Sequence, residues 1–209
     1  MRIDHVVVGV ADLERAAERF EAEFGLASVP GARHPGWGTG NRIVPLGDSY
    51  LELVGVVDQE EAERSSFGRA ILTLVEKGDR LLLWCVATED LEAVAARLDL
   101  TVARGSRILP DGTEVRWRSA GLEGAVADRS LPFFIHWEVP PERHPGRMPA
   151  PHRTAPAGIA WVEVGGPEEP LRDWLGEALT ELPVRVGADP PGLRAVGVAL
   201  ASGEELVIR

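Results

Sequence analysis

The chain has 209 residues, enough for one large hydrophobic core or two smaller ones. Its 33 acidic against 22 basic side chains leave a formal net charge of −11, which repels phosphate backbones and anionic lipid and argues against nucleic acid or a membrane surface as partner. No apolar run approaches the roughly 20 residues that span a bilayer, and Cys85 stands alone, which excludes an intrachain disulfide and a thiolate metal cluster.

The opening MRIDHVVVGV carries acids where a signal peptide would be apolar, so it reads as the first strand of a cytoplasmic protein. Asp12 is a helix N-cap ahead of LERAAERFEAEF, whose apolar residues recur at helical spacing, and Gly25 is a stop. Strand-like pieces follow around 26–29, in NRIVPL and in SYLELVGVV, with a Gly47-Asp48 turn between the last two. This first unit spans 1–57. Residues 58–80 form an acidic, partly helical connector.

The second unit, 81–139, repeats the order. LLLWCVA is a strand, and its apolar surroundings favour an inert thiol at Cys85. Thr88 is read as the cap of EDLEAVAARL, and LTVARGSRIL, TEVRWRSA and LPFFIHWEV are strand-like. Pro110-Asp111-Gly112 is a turn. Residues 140–157 are rich in Pro, Arg and His and read as an exposed linker or lid that leaves His144 and His152 in solvent. The third unit, 158–209, again runs strand, helix and three strands. The fold class is therefore α+β with repeated βαβββ modules.

Ile3-Asp4-His5-Val6 near the start of the first module and Leu51-Glu52-Leu53 in its last strand resemble the vicinal oxygen chelate superfamily, in its glyoxalase-like branch. The segments His34-Pro35-Gly36-Trp37-Gly38-Thr39-Gly40-Asn41 and Leu131-Pro132-Phe133-Phe134-Ile135 extend the likeness. The resemblance implies two modules curled together into a cup of mixed sheet. In metal-dependent members the first and last strands of each module send ligands inward. The superfamily includes isomerases, dioxygenases, epimerases, lyases and metal-free drug-binding proteins.

His5 and Glu52 thus form a candidate half-site for a divalent metal such as Zn, Fe, Mn, Ni or Co. The second module offers His136, on a strand face shared with Phe134 and Glu138. Strand alternation alone leaves open which face lines the cup. A metal-free His5–Glu52 hydrogen bond is the alternative. Module three carries no ligand types at matching positions and is read as structural. Its unpaired sheet needs burial, either across a homodimer or against the other modules.

Trp37, Thr39, Asn41 and Phe134 are candidate substrate contacts, and His34 and Glu138 candidate acid–base groups. Arg116 and Arg118 alternate with Val115 and Trp117; they face either solvent or the cup, where they would favour an anionic ligand. No P-loop or dinucleotide fingerprint is present, so no nucleotide cofactor is expected. The expected function is a metal-assisted isomerase, lyase or oxygenase acting on a small oxygenated metabolite. The alternatives are a metal-free protein that sequesters a small molecule with Trp37, Trp117 and Phe134, and a structural dimer.

Overall fold

The structure is a computed structural model that describes residues 1–76, 78–108, 112 and 114–209. Pro110 and Asp111 of the expected turn lie outside the described residues. The first unit contains β1 (Arg2–Gly9), α1 (Leu13–Phe24), β2 (Val29–His34), β3 (Thr39–Pro45) and β4 (Tyr50–Val56). Asp12 caps α1 by accepting from the Glu14 and Arg15 amides, and Gly25 ends it at φ 68°. The sequence patterns there correspond to local chemistry, a carboxylate for orphan amides and a glycine for the left-handed turn.

The connector folds into α2 (Gln59–Arg64) and α3 (Ser66–Val75). The second unit contains β5 (Arg80–Ala87), α4 (Leu91–Leu98), β6 (Ala103–Ile108), β7 (Glu114–Ala120), a short α5 (Leu122–Ala127) and β8 (Phe133–Trp137). The cap of α4 is Asp90, which accepts from the Ala93 amide, and Thr88 instead accepts from the Asp90 amide. The cap therefore sits two residues beyond the one expected, because the Asp90 carboxylate reaches the orphan amide of Ala93 while the Thr88 hydroxyl is engaged one step earlier by the Asp90 amide.

Strands β1 to β8 form one curled mixed sheet in the order β2-β3-β4-β1-β5-β8-β7-β6. Each module contributes four consecutive strands, and the two meet at the antiparallel β1–β5 pair. The outer face presents Val6, Val8, Leu51, Leu53, Trp84, Val86 and Phe134 to α1, α4 and the third unit. Phe20 of α1 is fully buried there, and such a side chain contributes roughly 1.5–3 kcal/mol. The inner face presents Val7, Val54, Leu83, Cys85, Phe133 and Ile135. Phe67 and Ile71 of α3 and Ala125 of α5 pack onto it. The connector is thus folded into the cup.

The third unit contains β9 (Pro156–Gly165), α6 (Glu168–Leu175), β10 (Val184–Gly187), β11 (Gly192–Leu200) and β12 (Glu205–Ile208). Its sheet order is β10-β9-β11-β12, with β10 parallel to β9. In the first unit, by contrast, the opening strand lies beside the fourth, as β1 lies beside β4. The same order of elements along the chain thus gives a different order in space. Val162, Val164, Val196 and Val198 join the outer core within this chain, so the face of the second sheet is covered without a second copy. Among the described residues no helix is long and apolar enough to cross a membrane.

Candidate functional site

The centre of the inner face begins with a bulge in β1. Against β5, Ile3 pairs with Val86 and His5 with Cys85, so Asp4 is an inserted residue. A bulge lets two successive side chains reach the same side of a strand. His5 accordingly holds its Nδ1 2.8 Å from Asp4 Oδ1. The carboxylate can only accept, so Nδ1 carries the proton and Nε2 faces the other way.

Asp4 is completely buried. Its Oδ2 accepts from Trp137 Nε1 at 3.1 Å and His144 Nε2 at 3.0 Å, and Arg2 Nη1 lies 3.1 Å away. Burial pushes the Asp4 pKa up, but hydrogen bonds from His144 and His5, reinforced by electrostatic attraction to both rings, outweigh it and hold the carboxyl well below the usual range. His144 Nδ1 in turn accepts from the Gly146 amide at 3.1 Å. The linker is therefore docked, not free. His144 is only 5 % exposed, and His152 bonds to the Pro45 carbonyl and the Ala27 amide.

On the opposite side of His5, Nε2 lies 3.8 Å from Glu52 Oε2. His34 Nε2 lies 3.6 Å from Glu52 Oε1, and its Nδ1 is 2.9 Å from the Thr39 hydroxyl. Asn41 donates from Nδ2 to Glu52 Oε1 at 2.5 Å and accepts the Ala32 amide at 2.6 Å. One carboxylate thus stands between two imidazoles, each steadied through its other nitrogen. The Tyr50 ring stacks on His5 at 4.4 Å, and Trp37 lies against Phe67 at 4.9 Å, walling the entrance beside His34. Glu52 and His34 keep side-chain exposures of 14 % and 21 %, more than His5 does.

Burial, reinforced by the Glu52, Asp4 and Cys85 charges, pushes the Tyr50 phenol well up. Burial also pushes the Cys85 thiol up, with Asp4 and Glu52 adding to it. Both stay protonated at neutral pH, so neither is a ready nucleophile.

The structure therefore brings together His5, Glu52, His34, Thr39, Asn41 and Trp37. It does not bring His136 to them. In β8, Phe133, Ile135 and Trp137 point inward, while Phe134, His136 and Glu138 point outward. His136 Nδ1 meets the Thr88 carbonyl at 3.0 Å, Phe134 packs on Trp174, and Glu138 pairs with Arg118 at 2.9 Å. Arg118 also meets Glu92 of α4, and Arg116 is largely exposed beside Glu114, so neither arginine faces the cup. Asp4, Tyr50 and His144 belong to the site and were not predicted. Only the adjacency of Asp4 to His5 offered a signal, and strand alternation pointed it the wrong way.

Asp4, His5 and Cys85 bring ligand-type atoms within 4.8 Å of one another. Asp4 already receives four donors, about the capacity of a carboxylate, and Cys85 retains its proton, so that trio fits an ion poorly. The set His5 Nε2, Glu52 and His34 Nε2 fits better. Both imidazoles have second partners on Nδ1, the usual arrangement around a metal-bound histidine. The inner row of the second module, Cys85 and Phe133, adds no oxygen or imidazole.

Two cavities lie elsewhere. A depression of about 540 Å³ is lined by Pro45, Leu46, Arg147, Met148 and His152, and an apolar crevice of about 20 Å³ lies under α3.

The curled sheet with its inward polar cluster defines a protein of the glyoxalase class. The chain belongs to the glyoxalase-like domain family, whose model matches residues 3–180. A hypothetical protein from Staphylococcus aureus has the same fold over 99 % of this chain and 85 % of its own, with TM-score 0.64 and 17 % identity. Methylmalonyl-CoA epimerase from Mycobacterium tuberculosis aligns with 67 % of this chain and 89 % of its own, at TM-score 0.45 and 19 % identity. The epimerase from Streptomyces coelicolor aligns with 66 % of this chain and 96 % of its own, at TM-score 0.45 and 20 % identity. No curated protein matches the sequence.

Proposed function

We propose that the chain is a metal-assisted enzyme acting on a small oxygenated metabolite, with its centre at His5, His34 and Glu52. One observation carries the reading: two imidazoles aim Nε2 at opposite oxygens of the Glu52 carboxylate while their Nδ1 atoms are held by Asp4 and Thr39. These three side chains would hold a borderline divalent ion such as Zn, Fe, Mn, Ni or Co, leaving positions for water or substrate. Bound there, the ion supplies Lewis-acid polarisation of a substrate oxygen. Asp4 keeps His5 in one tautomer and Asn41 orients Glu52. Trp37 gives the approach to His34 an aromatic wall, and the buried Tyr50 ring backs His5. Isomerase, lyase and oxygenase chemistry all fit such a centre.

The test is the metal content of untagged protein, measured by mass spectrometry. Stoichiometric metal in the wild type, lost in His5→Ala, Glu52→Ala and His34→Ala but kept in His136→Ala, supports the proposal. Absence of metal under every loading condition overturns it. One observation favours a second reading, a metal-free binding protein. The inner face is largely filled by α3 and α5, and the larger depression lies beside the linker. A ligand screen in which binding survives His5→Ala but fails on substitution of Met148 would select that reading.

A two-fold dimer would use the open strand edges, β2 and β6 of one sheet or β10 and β12 of the other, since the core-forming face of the second sheet is already buried within the chain. Light scattering that shows only monomer at micromolar concentration removes it.

A further inference from the structure

Acids outnumber bases in this chain, and Arg19, Arg33, Arg42, Arg118, Arg147 and Arg172 each pair with a carboxylate. Others are held by backbone carbonyls or rings, as Arg97, Arg153 and Arg185 are, and three arginines without a carboxylate partner lie near one another. Arg80 opens β5, Arg129 follows α5, and Arg194 lies in β11. Among the described residues none of the three meets a carboxylate. The adjacent acids are occupied elsewhere: Asp79 by Arg19 and the Ala11 amide, Asp128 by Ser130.

The floor beneath them is a glycine pair, Gly165 opposite Gly192 in β9 and β11. A Cβ on Gly165 would lie 3.0 Å from Arg194 Nε, and one on Gly192 would lie 3.9 Å from Arg129 Cβ. Both arginines therefore cross bare backbone. Arg129 also lines the crevice with Leu82 and Leu83, the residues that follow Arg80 by two and three positions. Arg194 is held by the Pro190 carbonyl, and the Nε atoms of Arg80 and Arg194 are buried without a hydrogen bond. Burial, then the Arg80 and Arg194 charges, push the Arg129 pKa down. Buried donors without acceptors and clustered like charges both cost stability, and an anion would relieve both.

We propose that Arg80, Arg129 and Arg194 form a binding site for a compact oxyanion of the phosphate class, separate from the His5–Glu52 centre. Three neighbouring guanidinium groups suit a multiply charged group with several acceptor oxygens. A single carboxylate leaves donors unused. Arg80 pairs with Gly9 whereas the catalytic row pairs His5 with Cys85, so the two sites lie toward opposite ends of β5.

The test uses the full chain and inorganic phosphate, with calorimetry and thermal melting against sodium chloride at equal ionic strength. The expected result is one saturable site per chain, with a concentration-dependent rise in Tm. Affinity should fall at least tenfold in Arg129→Gln and in Arg80→Gln, and stay unchanged in the exposed control Arg116→Gln. Acetate should bind at least tenfold more weakly than phosphate. In phosphate-free buffer the Arg129→Gln protein should melt no lower than wild type, since a repelling charge has gone. Absence of saturable binding by the wild-type protein overturns the proposal. So does wild-type affinity in both arginine variants, or equal binding of acetate and phosphate.

Discussion

Asp4 and His5 are consecutive residues of β1, yet their side chains meet at 2.8 Å on one side of the sheet. The bulge that permits this converts a strand histidine into one of defined tautomer, with Nε2 presented to Glu52. It also anchors the linker, because His144 reaches the same carboxylate.

Asp4→Ala should destabilise the fold by about 3–5 kcal/mol in chemical denaturation, since His5, His144, Trp137 and Arg2 all lose their acceptor. The wild-type pH dependence has a definite sign. A carboxyl whose folded pKa is depressed contributes stability that is fully present above the unfolded value of about 4. That contribution is lost as pH falls from there toward the folded value. The acid limb of the stability curve should therefore flatten in the variant.

Thr39→Val removes the hydroxyl that steadies His34 Nδ1 and keeps the buried volume nearly constant. Metal affinity should fall about 10- to 100-fold with the fold intact, as outer partners of ligating histidines typically contribute. Competition with a chromophoric chelator reads the change. An unaltered affinity would remove His34 from the ligand set.

Gly68→Ala should loosen α3 from the cup. A Cβ there would lie 2.5 Å from both the Ala62 and Trp37 carbonyl oxygens, and backbone cannot yield as a side chain can. The expected cost is about 1–3 kcal/mol. Fluorescence at the red edge should rise as Trp37 leaves Phe67.

Acid should release the linker at His152. Its Nε2–H donates to the Pro45 carbonyl and its Nδ1 accepts from the Ala27 amide, so only the neutral ring serves both. Burial lowers its pKa, with the Pro45 bond opposing. A histidine with a depressed folded pKa contributes stability that is complete above the unfolded value, about 6.5, and is lost as pH falls below it. Protection factors in residues 145–155, corrected for the intrinsic pH dependence of exchange, should fall between pH 7 and pH 5.5 in wild type. The same comparison in His152→Gln should show a smaller change.

The family, most of the element order (α5 was not expected) and part of the candidate site were legible in the sequence. Asp12 and Gly25 mark a helix because capping is a local matter. His5, Glu52 and the His34–Asn41 segment were identifiable because strand chemistry and a loop pattern survive without knowledge of neighbours. What the sequence could not decide was which side of a strand faces what. Alternation put Phe134, His136 and Glu138 together correctly, but only packing against α4 and Trp174 sends that face outward. A bulge at Asp4 depends on the β5 register, and a docked His144 depends on a carboxylate 140 residues away. Likewise the third unit repeats the chain order of the first with another strand order, because local periodicity specifies a strand but not its partner.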